Sequence, residues 1–145
     1  MERPGVGLSA IVIKDNKILM GKRKNSHGAG TLAFPGGHLE IYESFGNCLL
    51  REVKEETGLK VILIDEFPVK VTEDFFKTEN KHYVTLFMRA KYVEGDLKIL
   101  EPDKCEFWKW FSWYDINTMP SNQLFLPVQN LIKQSYNPFS DGRHR

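Results

Sequence analysis

The chain has two cysteines, Cys48 and Cys105, among 145 residues, so no disulfide framework can staple it. Neither lies in a CxxC or Cys/His spacing that would suggest zinc, and both are expected as reduced thiols. Long apolar runs are missing too. None approaches the ~20 residues of a membrane-spanning helix, and the chain does not open on a signal-peptide h-region. The expected address is therefore cytoplasmic, with no membrane partner. Charge of one sign is not in excess either: 20 basic and 19 acidic residues leave a net +1. A duplex nucleic-acid binder usually shows a basic stripe, so no duplex partner is expected. Repeats, low-complexity tracts and a second domain are absent. What remains, 41% hydrophobic and 27% charged, is ordinary for one globular domain with its own core. The domain is taken as residues 1–145, with ends at about 1–5 and 140–145 expected to be flexible.

The informative stretch is 37–59. Read as a helix from about Ser44 to Thr57, it turns each side chain by ~100°. Glu52, Glu55 and Glu56 then stand at i, i+3 and i+4 and share one face. Leu49, Leu50 and Val53, with small Gly46, make an apolar face, and Gly58 supplies a left-handed stop. Like charges at this spacing repel by a few tenths of a kcal/mol per pair, which Arg51 offsets in part through its i+4 relation to Glu55. Two readings follow from the carboxylates alone. One is a solvated acidic face. The other is a site for a hard cation such as Mg²⁺, which takes oxygen ligands and commonly sits between carboxylates and substrate phosphates.

In chain order, Val6–Ile13 and Ile18–Met20 read as strands joined by a turn at Lys14–Lys17. Lys22 to Gly30 reads as a basic loop, either solvated or a phosphate clamp, and the clamp is favoured because the loop leads into the acidic stretch. Thr31–Phe34 is a short strand ended by Pro35-Gly36-Gly37, whose glycines allow close backbone approach to a ligand. Phe34 is either core or a stacking face. Lys60–Ile64, a broken extended run over 67–76, and Tyr83–Val93 read as further strands. Cys105 is placed in a polar loop before the aromatic strand Phe107–Phe111, and Glu101 and Glu106 are either surface acids or further site acids. Ser112 to Asp115 looks like a capped helical turn, Asn117–Leu126 a loop, and Pro127 the start of a helix whose Val128, Leu131 and Ile132 form a core stripe.

Gly37, Glu43 and Arg51-Glu52-Val53-Lys54-Glu55-Glu56-Thr57-Gly58-Leu59 together resemble the signature of the Nudix hydrolases at every defined position. Flanking motifs, among them Gly21-Lys22-Arg23-Lys24, Phe34 to Glu40, Glu101 to Glu106, Gln123-Leu124-Phe125 and Asn137-Pro138-Phe139, resemble its MutT-like branch of small cytosolic nucleoside-triphosphate diphosphatases. The resemblance implies an α/β fold in which a curved mixed sheet lies between helices. It implies Mg²⁺, with Mn²⁺ able to substitute, held by Glu52, Glu56, Glu55 and the Gly36 carbonyl. Glu55 or Glu56 is expected as base, with Glu101 and Glu106 as runners-up. Arg51 is expected to orient the glutamates and Glu43 to brace the box loop. Arg23, Phe34, Gly37 and His38 are expected at the substrate. The implied reaction releases pyrophosphate and a monophosphate from a nucleoside triphosphate, with modified purine nucleotides such as 8-oxo-dGTP, or (d)NTPs broadly, as substrates and a homodimer as the assembly. The alternatives are a non-nucleotide diphosphatase, for instance of prenyl diphosphates, and a silent nucleotide-binding module. The Leu124-Phe125-Leu126-Pro127-Val128 segment departs from animal relatives near the base site and leaves base choice open. Glu56→Gln is expected nearly to abolish turnover without unfolding the chain; near-wild-type turnover at saturating Mg²⁺ would remove Glu56 from the site.

Overall fold

A computed structural model of the chain describes residues 2–140. The flexibility expected of Met1 and of 141–145 lies outside the described residues, whereas Gly5 already opens the first strand. Strands β1 (Gly5–Lys14) and β2 (Lys17–Arg23) form a hairpin. Its two-residue turn puts Asp15 and Asn16 at φ 51° and 62°, the left-handed pair that matches strand twist in tight hairpins. Then follow β3 (Leu32–Ala33), β4 (Gly36–His38), α1 (Phe45–Thr57), β5 (Lys60–Leu63), β6 (Lys70–Phe76), β7 (Lys81–Glu94), β8 (Cys105–Ser112), α2 (Trp113–Thr118), a 3₁₀ turn (Ser121–Gln123) and α3 (Leu126–Ile132).

The sheet runs β3-β2-β1-β7-β5, with β8 added to β2, β4 to β1 and β6 to β7. It is mixed: β1 and β7 pair in parallel from Gly5↔Tyr83 to Ile13↔Lys91, and the other pairings are antiparallel. Alternate residues of the central strands point to opposite faces. Leu8, Ala10 and Val12 of β1, Leu19 of β2, and Met88 and Ala90 of β7 pack with Leu49 and Val53 of α1. Ile11, Ile18, Met20 and Phe87 pack on the other side with Ile116 of α2 and with Val128 and Leu131 of α3. Helices on both faces explain why β1 and β2 are apolar without a polar alternation.

Several sequence boundaries shift. Lys22 and Arg23 belong to β2 rather than to the basic loop, because β8 supplies hydrogen-bonding partners out to Arg23↔Cys105. Cys105 accordingly opens a strand and is buried. The two glycines of the expected Pro35-Gly36-Gly37 stop themselves open β4, since Gly36 to His38 pair with Ser9 to Gly7. The expected 117–126 loop contains the end of α2 and the 3₁₀ turn, and α3 begins at Leu126. In each case sheet or core contacts override local composition.

Helix α1 is set by its ends and one face. The Ser44 hydroxyl accepts from Asn47 N–H at 3.1 Å, and Gly58, at φ 78°, donates its N–H to Lys54 O at 3.0 Å. Gly46, Cys48, Leu49, Val53 and Thr57 are buried. A side chain at Gly46 would collide with Leu63 of β5, so the helix lies close on that strand. Leu49→Ala should lower stability by about 2–4 kcal/mol, read as a reduced urea midpoint at unchanged slope. A loss below about 1 kcal/mol would mean that α1 is not firmly packed on the sheet.

Candidate functional site

The acidic face of α1 is opposed by β4. Two glycines let the backbones meet: a Cβ on Gly36 would run into the Leu8 carbonyl, and one on Gly37 would overlap the Glu52 carboxylate. Gly36 N–H donates to Glu56 Oε1 at 3.0 Å, tying the loop to the last of the three glutamates.

Arg51 holds the rest together. Its Nε and Nη2 donate to Glu43 at 2.7 and 2.9 Å, its Nη1 to Glu52 at 2.5 Å and to Glu55 at 3.2 Å, and its Nη2 to the His38 carbonyl at 3.3 Å. The Arg51 bonds hold the Glu43 carboxyl down at about 2, and its partners raise the Arg51 pKa well above its usual range. Glu43 also accepts from Glu40 N–H at 3.2 Å, which closes the turn before α1.

The three glutamates differ in exposure. Glu55 is open, with 47% of its side chain exposed, and Glu52 is at 15%. Burial is the first cause that raises the Glu52 carboxyl, with the Arg51 contacts opposing it. Glu56 departs most from a solvated acidic face. Burial pushes its carboxyl up to about 8, reinforced by the charges of Glu52 and Glu101 and opposed by the Gly36 N–H and Arg23.

The donor set fits a hard divalent cation in kind, because it offers carboxylate oxygens on one face and a desolvated carboxylate with no cation bonded to it. Among the described residues, no three His, Cys, Asp or Glu side chains already enclose a metal position. Arg51 engages Glu52 and Glu55, and Gly36 N–H engages Glu56.

A cavity of about 810 Å³ opens over this face and reaches across the sheet to the β2–β3 loop and α3. Glu52, Glu55, Glu56 and Glu101 line it with Gly36, Gly37 and His38. The structure separates the two outlying acids: Glu101 lines the cavity, whereas Glu106 lies outside it, 3.7 Å from Lys22. Arg23 is not a free loop cation. Its Nε donates to the His27 carbonyl at 3.0 Å, its Nη2 to Ser26 Oγ at 3.1 Å, and its guanidinium lies 4.0 Å above the Phe125 ring. Burial lowers its pKa while the Glu56 charge raises it.

Phe34 lies in the core, 6% exposed and edge-on to Phe87 at 6.2 Å, with only its remaining surface on the cavity. The larger aromatic wall is a group that sequence reading did not assemble: His27, Phe76, Tyr83 and Phe125. The four come from a loop, two adjacent strands and the segment before α3, and no local spacing relates them. His38 stacks on Tyr83 at 5.5 Å and so joins this wall to the box.

Fold and site together define an α/β domain that presents a glutamate-rich helix to a mixed acidic and aromatic cavity. The NUDIX domain family profile matches residues 2–128. An ADP-ribose pyrophosphatase of Methanocaldococcus jannaschii is 34% identical over 131 residues, covering 90% of this chain and 72% of that protein. An NAD-capped RNA hydrolase NudC of Vibrio atlanticus is 29% identical over 123 residues, and the match covers 85% of this chain but 40% of that protein. Among solved structures, a MutT NUDIX hydrolase from Burkholderia pseudomallei superposes with a TM-score of 0.78 at 27% identity, covering 93% of this chain and all of that one. The chain belongs to the Nudix hydrolase family. Its activity class is pyrophosphohydrolysis, and enzymes of this family generally use a divalent metal such as Mg²⁺ or Mn²⁺.

The half-buried Glu56 has a consequence for stability without metal. Its folded pKa is raised, so the stability of the neutral form is fully present below 4.5 and is lost as pH rises through about 8. In EDTA, Glu56→Gln should match wild type near pH 4 and exceed it by about 2–4 kcal/mol at pH 9, read by thermal or urea unfolding. Mg²⁺ should then raise the melting temperature of wild type more than that of the variant. Equal pH dependence for the two proteins would show that Glu56 is not buried.

Proposed function

We propose that this chain hydrolyses nucleoside triphosphates, including oxidised or modified purine nucleotides such as 8-oxo-dGTP, to nucleoside monophosphate and pyrophosphate. The observation that carries this reading is a single cavity with carboxylates at one end and flat rings at the other. Arg23 is in electrostatic reach of Glu56 and lies on the face of Phe125, so it connects the two ends. That layout suits a substrate with a charged chain and a planar base.

Glu52, Glu55, Glu56 and the Gly36 carbonyl would hold the divalent cation. When bound, Mg²⁺ neutralises phosphate charge and opens phosphorus to attack by water. Arg51 orients Glu52 and Glu55 and leaves the face net acidic. Glu55, the least enclosed glutamate, or Glu56 accepts the proton of the attacking water, with Glu101 as the alternative acid in the cavity. Gly37 leaves the Glu52 carboxylate the space it occupies. Arg23 supplies positive charge to the phosphates, and His38 and Phe34 border the nucleoside.

A second reading, hydrolysis of ADP-ribose, is favoured by the 34% identical relative that carries that name. The test is a Mg²⁺-dependent panel of 8-oxo-dGTP, dGTP, ADP-ribose and geranyl diphosphate with product analysis. Pyrophosphate from the triphosphates at the highest kcat/KM supports the first reading. AMP and ribose 5-phosphate at higher kcat/KM supports the second, and preferred release from geranyl diphosphate overturns both. In the same panel Arg23→Ala should lower kcat/KM roughly tenfold for every triphosphate regardless of base. An effect confined to one base would make Arg23 a base reader.

A further inference from the structure

The aromatic end of the cavity already contains a flat heteroaromatic ring that belongs to the chain. His27 lies parallel to Tyr83, with ring centroids 5.7 Å apart and 4° between the planes. Phe76 meets it edge-on at 4.7 Å, and Phe125 closes a third side at 5.5 Å. Phe76 and Phe125 are themselves 5.4 Å apart, and Phe76 and Tyr83 are 6.0 Å apart, so the three rings form one continuous wall around the imidazole. Offset-stacked and edge-on arrangements at these distances are the favourable ones for aromatic pairs. They are also the arrangements that would receive a nucleobase.

We propose that His27 is a specificity-determining plug: its imidazole occupies the aromatic cage of Phe76, Tyr83 and Phe125 in the free enzyme, and the base of an incoming nucleotide displaces it. The proposal rests on the nucleotide reading above, and adds which residue sets the threshold for admitting a base.

Three further observations support the exchange. Burial first, then the neighbouring Arg23 and Lys81, push the imidazole pKa down to about 4, so at neutral pH the ring is uncharged like a base. The loop that carries it is anchored through its main chain, with Arg23 donating to the His27 carbonyl at 3.0 Å and Gly30 N–H to the Arg23 carbonyl at 2.8 Å. The ring can therefore leave by side-chain rotation while the backbone stays in place. Its position is also contiguous with the acidic end: Tyr83, under His27, stacks on His38 next to the box.

A plug lowers apparent affinity by the fraction of molecules whose cage is open, so removing it restores the intrinsic affinity of the cage. Only ligands with a base feel the difference. The test is calorimetric binding of AMP and of pyrophosphate, each with Mg²⁺, to wild type, His27→Ala and His27→Phe. His27→Ala should tighten AMP binding roughly three- to tenfold. His27→Phe, an apolar ring held more firmly in the cage, should weaken it, and pyrophosphate Kd should change less than about twofold in either variant. The His27 ring resonance, assigned by its loss in His27→Ala, should move downfield when AMP saturates the wild type and stay in place with pyrophosphate. Weaker AMP binding in His27→Ala with retention in His27→Phe would make His27 a wall for the base and overturn the plug. Unchanged AMP affinity in both variants, or an unmoved resonance at saturation, would overturn it too. Wild type that binds pyrophosphate but no AMP would instead remove the nucleotide reading itself.

Discussion

The guanidinium of Arg51 is the contact on which the site depends. One side chain donates to Glu43, Glu52, Glu55 and the His38 carbonyl, and so joins the turn before α1, the acidic face of α1 and strand β4. The three acids it binds, crowded together, would otherwise repel one another. Planar, always-charged arginine suits this work, because its several donors leave in fixed directions and can serve several carboxylates at once. Lysine, with one ammonium centre, could not span the same partners in the same geometry.

Glu56 is held differently, and at a cost. It lies half-buried at the cavity wall, against a backbone N–H and near other acids, and its charged form is disfavoured there. The fold around it is well covered: α1 and the α2–α3 pair enclose a sheet whose central strands are apolar on both faces. A stable frame of this kind can carry one destabilised carboxylate, and in the proposed reading a divalent cation would supply the counter-charge it lacks. Stability and function therefore meet in the same group.

At the far end of the cavity the controlling contacts are between rings. Arg23 is shared by both ends, fixed to its own loop by hydrogen bonds and to Phe125 through the ring face. In the proposed reading, phosphate charge and base shape would be sensed by neighbouring parts of one short segment, 23–31, that leaves β2 and returns as β3. The family signature says nothing about this segment.

The box helix, its serine cap, its glycine stop and the shared face of Glu52, Glu55 and Glu56 follow from the sequence alone, because each depends on residues within a few positions and on helical period. The same holds for the Asp15-Asn16 hairpin and for the family and its reaction class. Tertiary structure alone decided the partial burial of Glu56, the division between cavity-lining Glu101 and surface Glu106, and the place of Phe34 in the core. It also decided the aromatic cage, whose members lie at 27, 76, 83 and 125 and meet only when β6 pairs with β7 and the α3 segment folds across them. Local sequence sets which face of an element a side chain occupies; what stands opposite that face is set by strand pairing and helix packing between residues distant in the chain.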